Sequence, residues 1–202
     1  MVLDLKNVYG SAWNVFKKSW WQYIIVTLIL MICMFIPYIG SLLQFFFMLL
    51  VLNAALKGAR EEEVSFSSFF DFKAVFTVKV LIFVVIFAVY SIIMQMGANN
   101  LTLSLILAII GIVISVILYP IMCVIIDKDL GIKDTILHAA ALTKGVRFEI
   151  IIIMILNLII GFLGVIFLVI GVFVALPVIV ASTAVVYVLL EQNYSSSEVS
   201  AE

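Results

Sequence analysis

The sequence predicts an all-α membrane protein, a polytopic bundle of six transmembrane helices arranged as three hairpins. Of its 202 residues, 66% are hydrophobic and 11% are charged, whereas an ordinary soluble domain is about half apolar and a quarter charged. A stretch of ~20 apolar residues crosses one bilayer, so the chain has room for six crossings and little else. Its charged residues also lie near the two ends of the chain and at every second break between apolar stretches.

The positions of the apolar stretches give the predicted helices. These stretches lie at about 19–36, 41–57, 75–96, 101–126, 148–166 and 170–190. Short turns join them in pairs, at 37–40, at 97–100 and between Gly164 and Gly171. Gly, Pro and Asn are typical of tight turns. Because all three turns are short, we expect the helices to pair as hairpins.

The distribution of charge predicts the topology. All eleven Lys and Arg lie before the first helix, between hairpins or at the adjoining helix ends, and the three hairpin turns carry no charge. With six crossings, the charged segments share one face, which the positive-inside rule assigns to the cytoplasm. We therefore predict a multi-pass protein of the plasma (inner) membrane with both termini cytoplasmic. A net charge of -1 gives no positive field to attract nucleic acid.

Each hairpin is preceded by a short amphipathic segment, which we expect to form a cytoplasmic helix in the plane of the interface. The chain thus divides into three similar units, 4–60, 65–126 and 129–190, within one domain at 1–190, followed by a disordered cytoplasmic tail at 191–202. The segments either seat the bundle at the headgroups or recognise a partner or lipid. Candidate interfacial residues are Trp13, Phe16, Trp20, Trp21, Phe66, Phe69, Phe70, Asp134 and His138.

Polar residues deep within the predicted spans are neutral, and the charged Lys79 and Glu149 lie within about a turn of the span ends. Ionisable groups deep in a membrane mark ion paths and proton relays, and the sequence predicts none there. The candidate polar positions of the bundle are Gln44, Asn53, Gln95 and Asn157. Side-chain amides of this kind hydrogen-bond between helices. Asn157, near the middle of the fifth predicted span, is the first candidate for mutation.

Small residues and prolines predict how the helices pack. Small residues four positions apart permit close helix contact, and two such pairs occur, Gly111 with Ser115 and Gly171 with Ala175. Pro120 and Pro177 fall inside predicted helices, where a proline frees a carbonyl and kinks the helix. We expect static kinks, with a hinge or cavity as the alternative.

The sequence contains little that could catalyse a reaction. Its only histidine, His138, follows Asp134 by four residues, within hydrogen-bond reach on a helix. No nucleophile, second metal ligand, HExxH, GxSxG, P-loop or GxGxxG motif accompanies this pair. Cys33 and Cys123 lie apart in apolar stretches, so we expect unpaired and unreactive thiols. We predict no enzymatic activity, no cofactor and no metal.

Five segments carry a family resemblance: 12–18, 54–60, 119–131, 139–145 and 176–187. Together they resemble a broad group of prokaryotic six-helix membrane proteins related to the membrane domain fused to some glycerophosphoryl diester phosphodiesterases. The similarity covers nearly the whole chain. The metal and acid-base groups of the phosphodiesterase domain are not among these 202 residues, so we do not expect its activity. The resemblance implies a plasma-membrane protein with an envelope-related or lipid-related role.

Two functions fit these observations. The first is a non-enzymatic integral membrane protein that binds membrane lipids or a protein partner through its amphipathic helices and bundle surface. The alternative is a small transporter or channel, since internal repeats and broken helices are common in transporters. The absence of deep charge then favours a neutral or apolar solute. Helix faces with small residues can pack within one subunit or between the subunits of a homo-oligomer. The sequence is therefore compatible with either oligomeric state.

Overall fold

The protein is built from helices. The computed structural model describes residues 3–33, 40–75, 77–97 and 100–199, and this part of the chain contains α-helices, one 3-10 helix and no strand. The all-α prediction is confirmed. Parts of two predicted turns, at 37–39 and at 98–99, lie outside the described residues.

The helices follow the predicted segments. In chain order they are α1 (Leu5–Lys18), α2 (Trp20–Cys33), α3 (Gly40–Ala59), a 3-10 helix (Phe66–Phe70), α4 (Phe72–Val75), α5 (Val78–Gly97), α6 (Leu101–Ile117), α7 (Ile121–Asp127), α8 (Ile132–Leu142), α9 (Arg147–Ile166) and α10 (Leu168–Val199). The six apolar stretches correspond in order to α2, to α3, to α5, to α6 together with α7, to α9 and to α10. The members of each predicted hairpin contact one another.

Some of these helices are long and apolar enough to cross a membrane. Within the described residues, Arg147–Ile166 and Gly171–Ser196 qualify by themselves. Two bent pairs also qualify if each is one crossing: α1 with α2, bent by 88°, and Thr102–Ile117 with α7, bent by 44°. Segment Leu43–Ala59 of α3 is apolar but shorter. These lengths give two to four spans, so six crossings stay a prediction.

Helix α1 packs against protein along its apolar face. Its N-terminus is capped by Asp4, whose carboxylate accepts a hydrogen bond from the backbone N–H of Lys6 at 3.0 Å. The helix turns sharply away from α2 and contacts α3 and α10. Its apolar residues are buried there, namely Val8, Ala12, Val15 and Phe16. The face that we expected to lie on lipid is therefore part of the protein core.

Glycine permits two close helix contacts. A Cβ atom on Gly58 of α3 would lie 2.8 Å from Cγ1 of Val15, so the missing side chain makes room for α1. A Cβ atom on Gly164 of α9 would lie 2.6 Å from Cβ of Ala175, and Gly171 is also in contact there. The prediction that Gly171 and Ala175 permit close helix contact is confirmed.

Helices α9 and α10 form an antiparallel hairpin joined at Phe167. Residues of α9 contact residues of α10, and the earlier a residue lies in α9, the later its partner lies in α10. Gly164 lies beside Ala175, Gly161 lies beside Ile179, and Asn157 bonds to Ser182. The third predicted turn, between Gly164 and Gly171, thus contains the junction that the structure shows.

The predicted kink at Pro120 is a helix break. Helix α6 ends at Ile117, Pro120 is the N-cap of α7, and the two axes differ by 44°. Proline has no backbone N–H to continue the helical hydrogen bonds and its ring clashes with the preceding turn. Pro177, by contrast, is buried inside α10, which continues past it.

Helix α10 extends beyond the predicted domain boundary. We predicted a disordered tail from residue 191, whereas the structure continues the helix to Val199. Polar side chains of this segment bond to carbonyls one turn earlier: Asn193 donates to Leu189 at 2.5 Å and Ser195 donates to Glu191 at 3.0 Å. These bonds let the helix that begins in the core continue through polar sequence. Residues 200–202 lie outside the described part.

Candidate functional site

Five neutral polar side chains from distant parts of the chain meet inside the bundle. They are Tyr9 of α1, Tyr119 at the break before α7, Asn157 of α9, and Ser182 and Thr183 of α10. We call them the Asn157 cluster. Ser182 is fully buried, and the other four are partly buried. The break between α6 and α7 contributes directly, because Tyr119 lies within it.

Asn157 connects three other helical segments. Its Oδ1 atom accepts hydrogen bonds from the hydroxyl of Tyr9 at 2.9 Å and from the hydroxyl of Ser182 at 3.0 Å. Its Nδ2 group donates to the hydroxyl oxygen of Tyr119 at 3.5 Å. Tyr119 in turn lies 3.1 Å from the hydroxyl of Thr183. One amide therefore links α1, the α6–α7 break and α10 to α9.

The Asn157 cluster lies deep along the helices. Asn157 is eight residues from Glu149, the nearest charged residue of α9, which is about 12 Å at 1.5 Å per residue. Ser182 is nine residues from Glu191 of α10, a similar distance. On α1, Tyr9 lies only three residues from the exposed Lys6. The cluster is therefore two to three helical turns from charge along α9 and α10, and closer to it along α1.

An apolar groove lies beside the cluster and shares Tyr119 with it. The groove has a volume of about 610 Å³ and is formed by α5, α6, α7 and α9. Residues lining it include Phe83, Ala108, Gly111, Ser115, Tyr119 and Met154. None of the described residues that line it is ionisable at neutral pH, and its polar side-chain groups are the hydroxyls of Ser115 and Tyr119.

The charged residues form a separate layer at one end of the helices. Arg60, just after α3, pairs with Asp127 at the end of α7, with Nη1 and Oδ1 2.7 Å apart. Tyr187 of α10 donates to Oδ2 of Asp127 at 2.6 Å. The hydrogen bond to Asp127 raises the pKa of Arg60 further, despite the opposing effect of burial. This triad joins the C-terminal ends of α3 and α7 to the interior of α10.

Glu191 of α10 is the centre of a second set of contacts. It pairs with Lys128, and its Oε2 atom lies 3.0 Å from Nε2 of His138. The ring of Tyr194 packs edge-on against the ring of His138, with centroids 5.4 Å apart. The structure thus pairs His138 with Glu191, where the sequence suggested Asp134, which is exposed. The reason is tertiary, because α8 packs beside α10.

Two further ion pairs join the charged segments. Lys79 near the start of α5 pairs with Asp129, and this hydrogen bond lowers the pKa of the Asp129 carboxyl. Lys57 of α3 pairs with Asp71, with Nζ and Oδ2 3.4 Å apart. The ends of α3 and α7, the start of α5 and the C-terminal part of α10 are therefore cross-linked by charge in one layer.

The other predicted polar positions lie apart from the cluster. Asn53 is buried in α3, and its Nδ2 atom has no hydrogen-bond partner among the described residues. Gln44 is half-buried near the start of α3. The side chain of Gln95 lies outside the described part of the chain. Of the three amides whose side chains the structure describes, Asn157 is the one that it places in a multi-helix network.

The predicted interfacial aromatics divide into two groups. Those with large exposed surfaces are Trp13, Trp20, Trp21 and Phe66. Phe16 and Phe69 are buried, and Phe70 is half-buried. Phe69 packs edge-on against the buried ring of Tyr23, with centroids 4.9 Å apart. The 3-10 helix therefore buries the ring of Phe69 in the core and leaves the ring of Phe66 exposed.

Sequence reasoning missed the tyrosines that complete the site. Tyr9 and Asn157 are 148 residues apart, and no local spacing connects them. Tyr119 precedes Pro120, so a proline inside an apolar stretch was the signal that could have drawn attention to it. Arg60, Asp127 and Tyr187 likewise come from three separate segments. Cys33 and Cys123 are buried and unpaired, as predicted.

Metal-binding residues do not gather in the part of the chain described, where no three His, Cys, Asp or Glu residues are placed to hold an ion. The chain matches no protein-family model, no curated protein and no solved structure. Its resemblance to the membrane domain fused to glycerophosphoryl diester phosphodiesterases therefore stays a prediction.

Proposed function

We propose that this chain is an integral protein of the plasma membrane that binds a membrane lipid and catalyses no reaction. In this proposal six helices cross the bilayer as three hairpins, with both termini in the cytoplasm. The ion pairs support a single charged face, because they connect the segments that follow α3 and α7 with the start of α5 and with α10.

The apolar groove is the observation that carries the proposal. Its volume of about 610 Å³ is within the range of about 300 to 1,000 Å³ that is typical of small-molecule sites. Its lining is apolar apart from two hydroxyls, and it lies between helices whose other faces are exposed and apolar. In a bilayer, the molecules available to fill such a groove are lipids, because water would lose hydrogen bonds there.

Native mass spectrometry of the protein, purified in mild detergent, tests this function. We expect a lipid to remain bound to the wild type and to be lost from Gly111→Leu, whose new side chain fills the groove. Gly10→Leu is the matched control, because a Cβ atom at Gly10 has nothing within 4 Å. Equal lipid retention by the two variants, or no retained lipid in the wild type, would contradict the proposal.

A small transporter for a neutral solute is the second candidate. One observation favours it: the helix break before α7 places Tyr119 in a polar cluster at mid-depth, as broken helices do in transporters. A flux assay with the protein in liposomes separates the two functions. Uptake of a neutral solute that is lost in Asn157→Leu and kept in Gly111→Leu would favour transport over lipid binding.

A further inference from the structure

We propose that the lipid in the groove is an uncharged long-chain alcohol whose hydroxyl forms a hydrogen bond with the hydroxyl of Tyr119. The inference rests on the proposed lipid-binding function and adds the chemical class of the ligand. It follows from the charge of the groove, from the hydrogen-bonding capacity of Tyr119 and from the depth at which Tyr119 lies.

The groove offers nothing to balance an ionised headgroup. The described residues that line it carry no charge. The nearest charged residue along the helix is Asp127, eight residues beyond Tyr119, or about 12 Å at 1.5 Å per residue. Burying a phosphate or carboxylate beside Tyr119 would leave it unpaired, which is costly in an apolar setting. A neutral headgroup avoids this cost.

The hydroxyl of Tyr119 has room for one more hydrogen bond. It accepts from the Nδ2 group of Asn157 at 3.5 Å and shares a hydrogen bond of 3.1 Å with the hydroxyl of Thr183, in which either oxygen can donate. A hydroxyl has one proton and two lone pairs, so either a lone pair or the proton of Tyr119 is left for a ligand. An alcohol satisfies Tyr119 in both arrangements because it can donate and accept, whereas an ester or ketone can only accept.

The shape of the groove places a chain above this hydroxyl. Gly111, Ser115 and Tyr119 are four residues apart and all line the groove, so small residues leave space along one face of α6. Tyr119 and Ala108 lie at the two ends of the lining and are eleven residues apart, which is about 16 Å along a helix. This is close to half of the ~30 Å hydrocarbon core, so one chain fits with its hydroxyl near mid-depth. A phospholipid headgroup belongs at the membrane surface and cannot reach Tyr119.

Three probes with the same chain test the chemical class: hexadecan-1-ol, hexadecane and hexadecanoic acid. Each is added at equal concentration to detergent-purified wild-type protein at neutral pH, and occupancy is measured by native mass spectrometry. We expect the alcohol to bind about tenfold more tightly than the alkane or the ionised acid, as one added hydrogen bond allows. Equal or tighter binding of the acid, or equal binding of the alkane, overturns the inference.

Two variants test whether Tyr119 gives the protein its preference for the alcohol over the alkane. Tyr119→Phe is expected to bind alcohol and alkane equally, whereas Tyr23→Phe, the matched control outside the groove, keeps the preference for alcohol. If Tyr119→Phe does not fold, crosslinking with a hexadecanol that carries a diazirine next to its hydroxyl gives the same answer in the wild type. Labelling at 115–122 supports the site, and labelling elsewhere overturns it.

A wild type that retains a native phospholipid but no alcohol overturns only this inference, whereas binding no lipid at all contradicts the proposed function itself.

Discussion

Asn157 of α9 accepts a hydrogen bond from the hydroxyl of Tyr9 of α1 at 2.9 Å. The same hydroxyl lies 3.2 Å from the backbone carbonyl oxygen of Ile153, so two acceptors of α9, the fifth predicted span, share its one proton. The apolar face of α1 is buried at the same time. Together these contacts make α1 a part of the bundle that sets the position of the Asn157 cluster.

Asn157→Leu is expected to destabilise the protein by about 1 kcal/mol, because the hydroxyls of Tyr9 and Ser182 lose their shared acceptor and keep only the carbonyls of Ile153 and Ile179. Thermal unfolding in detergent measures the change. In a double-mutant cycle, Tyr9→Phe and Asn157→Leu should be non-additive by about 1 kcal/mol. Strict additivity would mean that the contact between α1 and α9 does not contribute to stability.

The sequence predicted the helices better than their arrangement. Uninterrupted apolar stretches and turn residues located α9 and α10, because hydrophobicity and local backbone preferences are properties of nearby residues. Pro120 predicted a kink in the fourth span, and the structure breaks the helix there with a bend of 44°, since the missing N–H acts locally. The same rule predicted a kink at Pro177, where α10 continues. These features needed no information about which helices contact one another.

The site could be predicted only in part because its members are brought together by packing. Asn157 was predicted as a polar position, but its partners Tyr9 and Ser182 lie on other helices. His138 pairs with Glu191, 53 residues away, where local spacing suggested Asp134. For Phe16, amphipathicity predicted that one face is apolar but not whether lipid or protein covers it. Each of these depends on tertiary contacts.

Two Tyr→Phe substitutions are expected to act in opposite directions. The hydroxyl of Tyr23 is buried and has no hydrogen-bond partner among the described residues, so Tyr23→Phe should leave stability unchanged or raise it by about 1 kcal/mol. The hydroxyl of Tyr187 donates to Asp127 at 2.6 Å, so Tyr187→Phe should lower stability by about 1 to 2 kcal/mol. Unfolding midpoints in one detergent compare the two, and a loss in Tyr23→Phe would show that its hydroxyl is paired.

Arg60→Gln should destabilise the charged layer, because Asp127 would keep only the hydrogen bond from Tyr187 beside it. The expected loss is about 1 to 2 kcal/mol, reduced by the partial exposure of Arg60. Asp127→Asn in the same chain should recover part of the loss, because it removes the carboxylate that lacks its partner. Lys133→Gln, at an exposed position on α8, serves as control. No difference between Arg60→Gln and the control would contradict a stabilising pair.

The predicted topology can be tested with single cysteines, because Cys33 and Cys123 are buried. Asn100 and Lys133 are both exposed, and the proposal places them on opposite sides of the membrane. In intact cells, a membrane-impermeant maleimide should label Asn100→Cys but not Lys133→Cys. In inverted vesicles the result should reverse. Labelling of both residues from one side would contradict six crossings with cytoplasmic termini.

The contact between α9 and α10 should tolerate no side chain at Gly164. Gly164→Ala would place a Cβ atom 2.6 Å from Cβ of Ala175 and 3.2 Å from the carbonyl oxygen of Gly171, so the helices must separate. We expect a loss of about 1 to 3 kcal/mol, as for overpacking elsewhere. Gly161→Ala is the matched control, because its Cβ would lie 3.5 Å from Cδ1 of Ile179, an ordinary contact.

Ala175→Gly should relieve part of the loss in Gly164→Ala, since it removes the closest clash and leaves only the backbone contact. Unfolding midpoints measure all three variants, and equal stability of Gly164→Ala and Gly161→Ala would show that the helices lie farther apart than these distances imply.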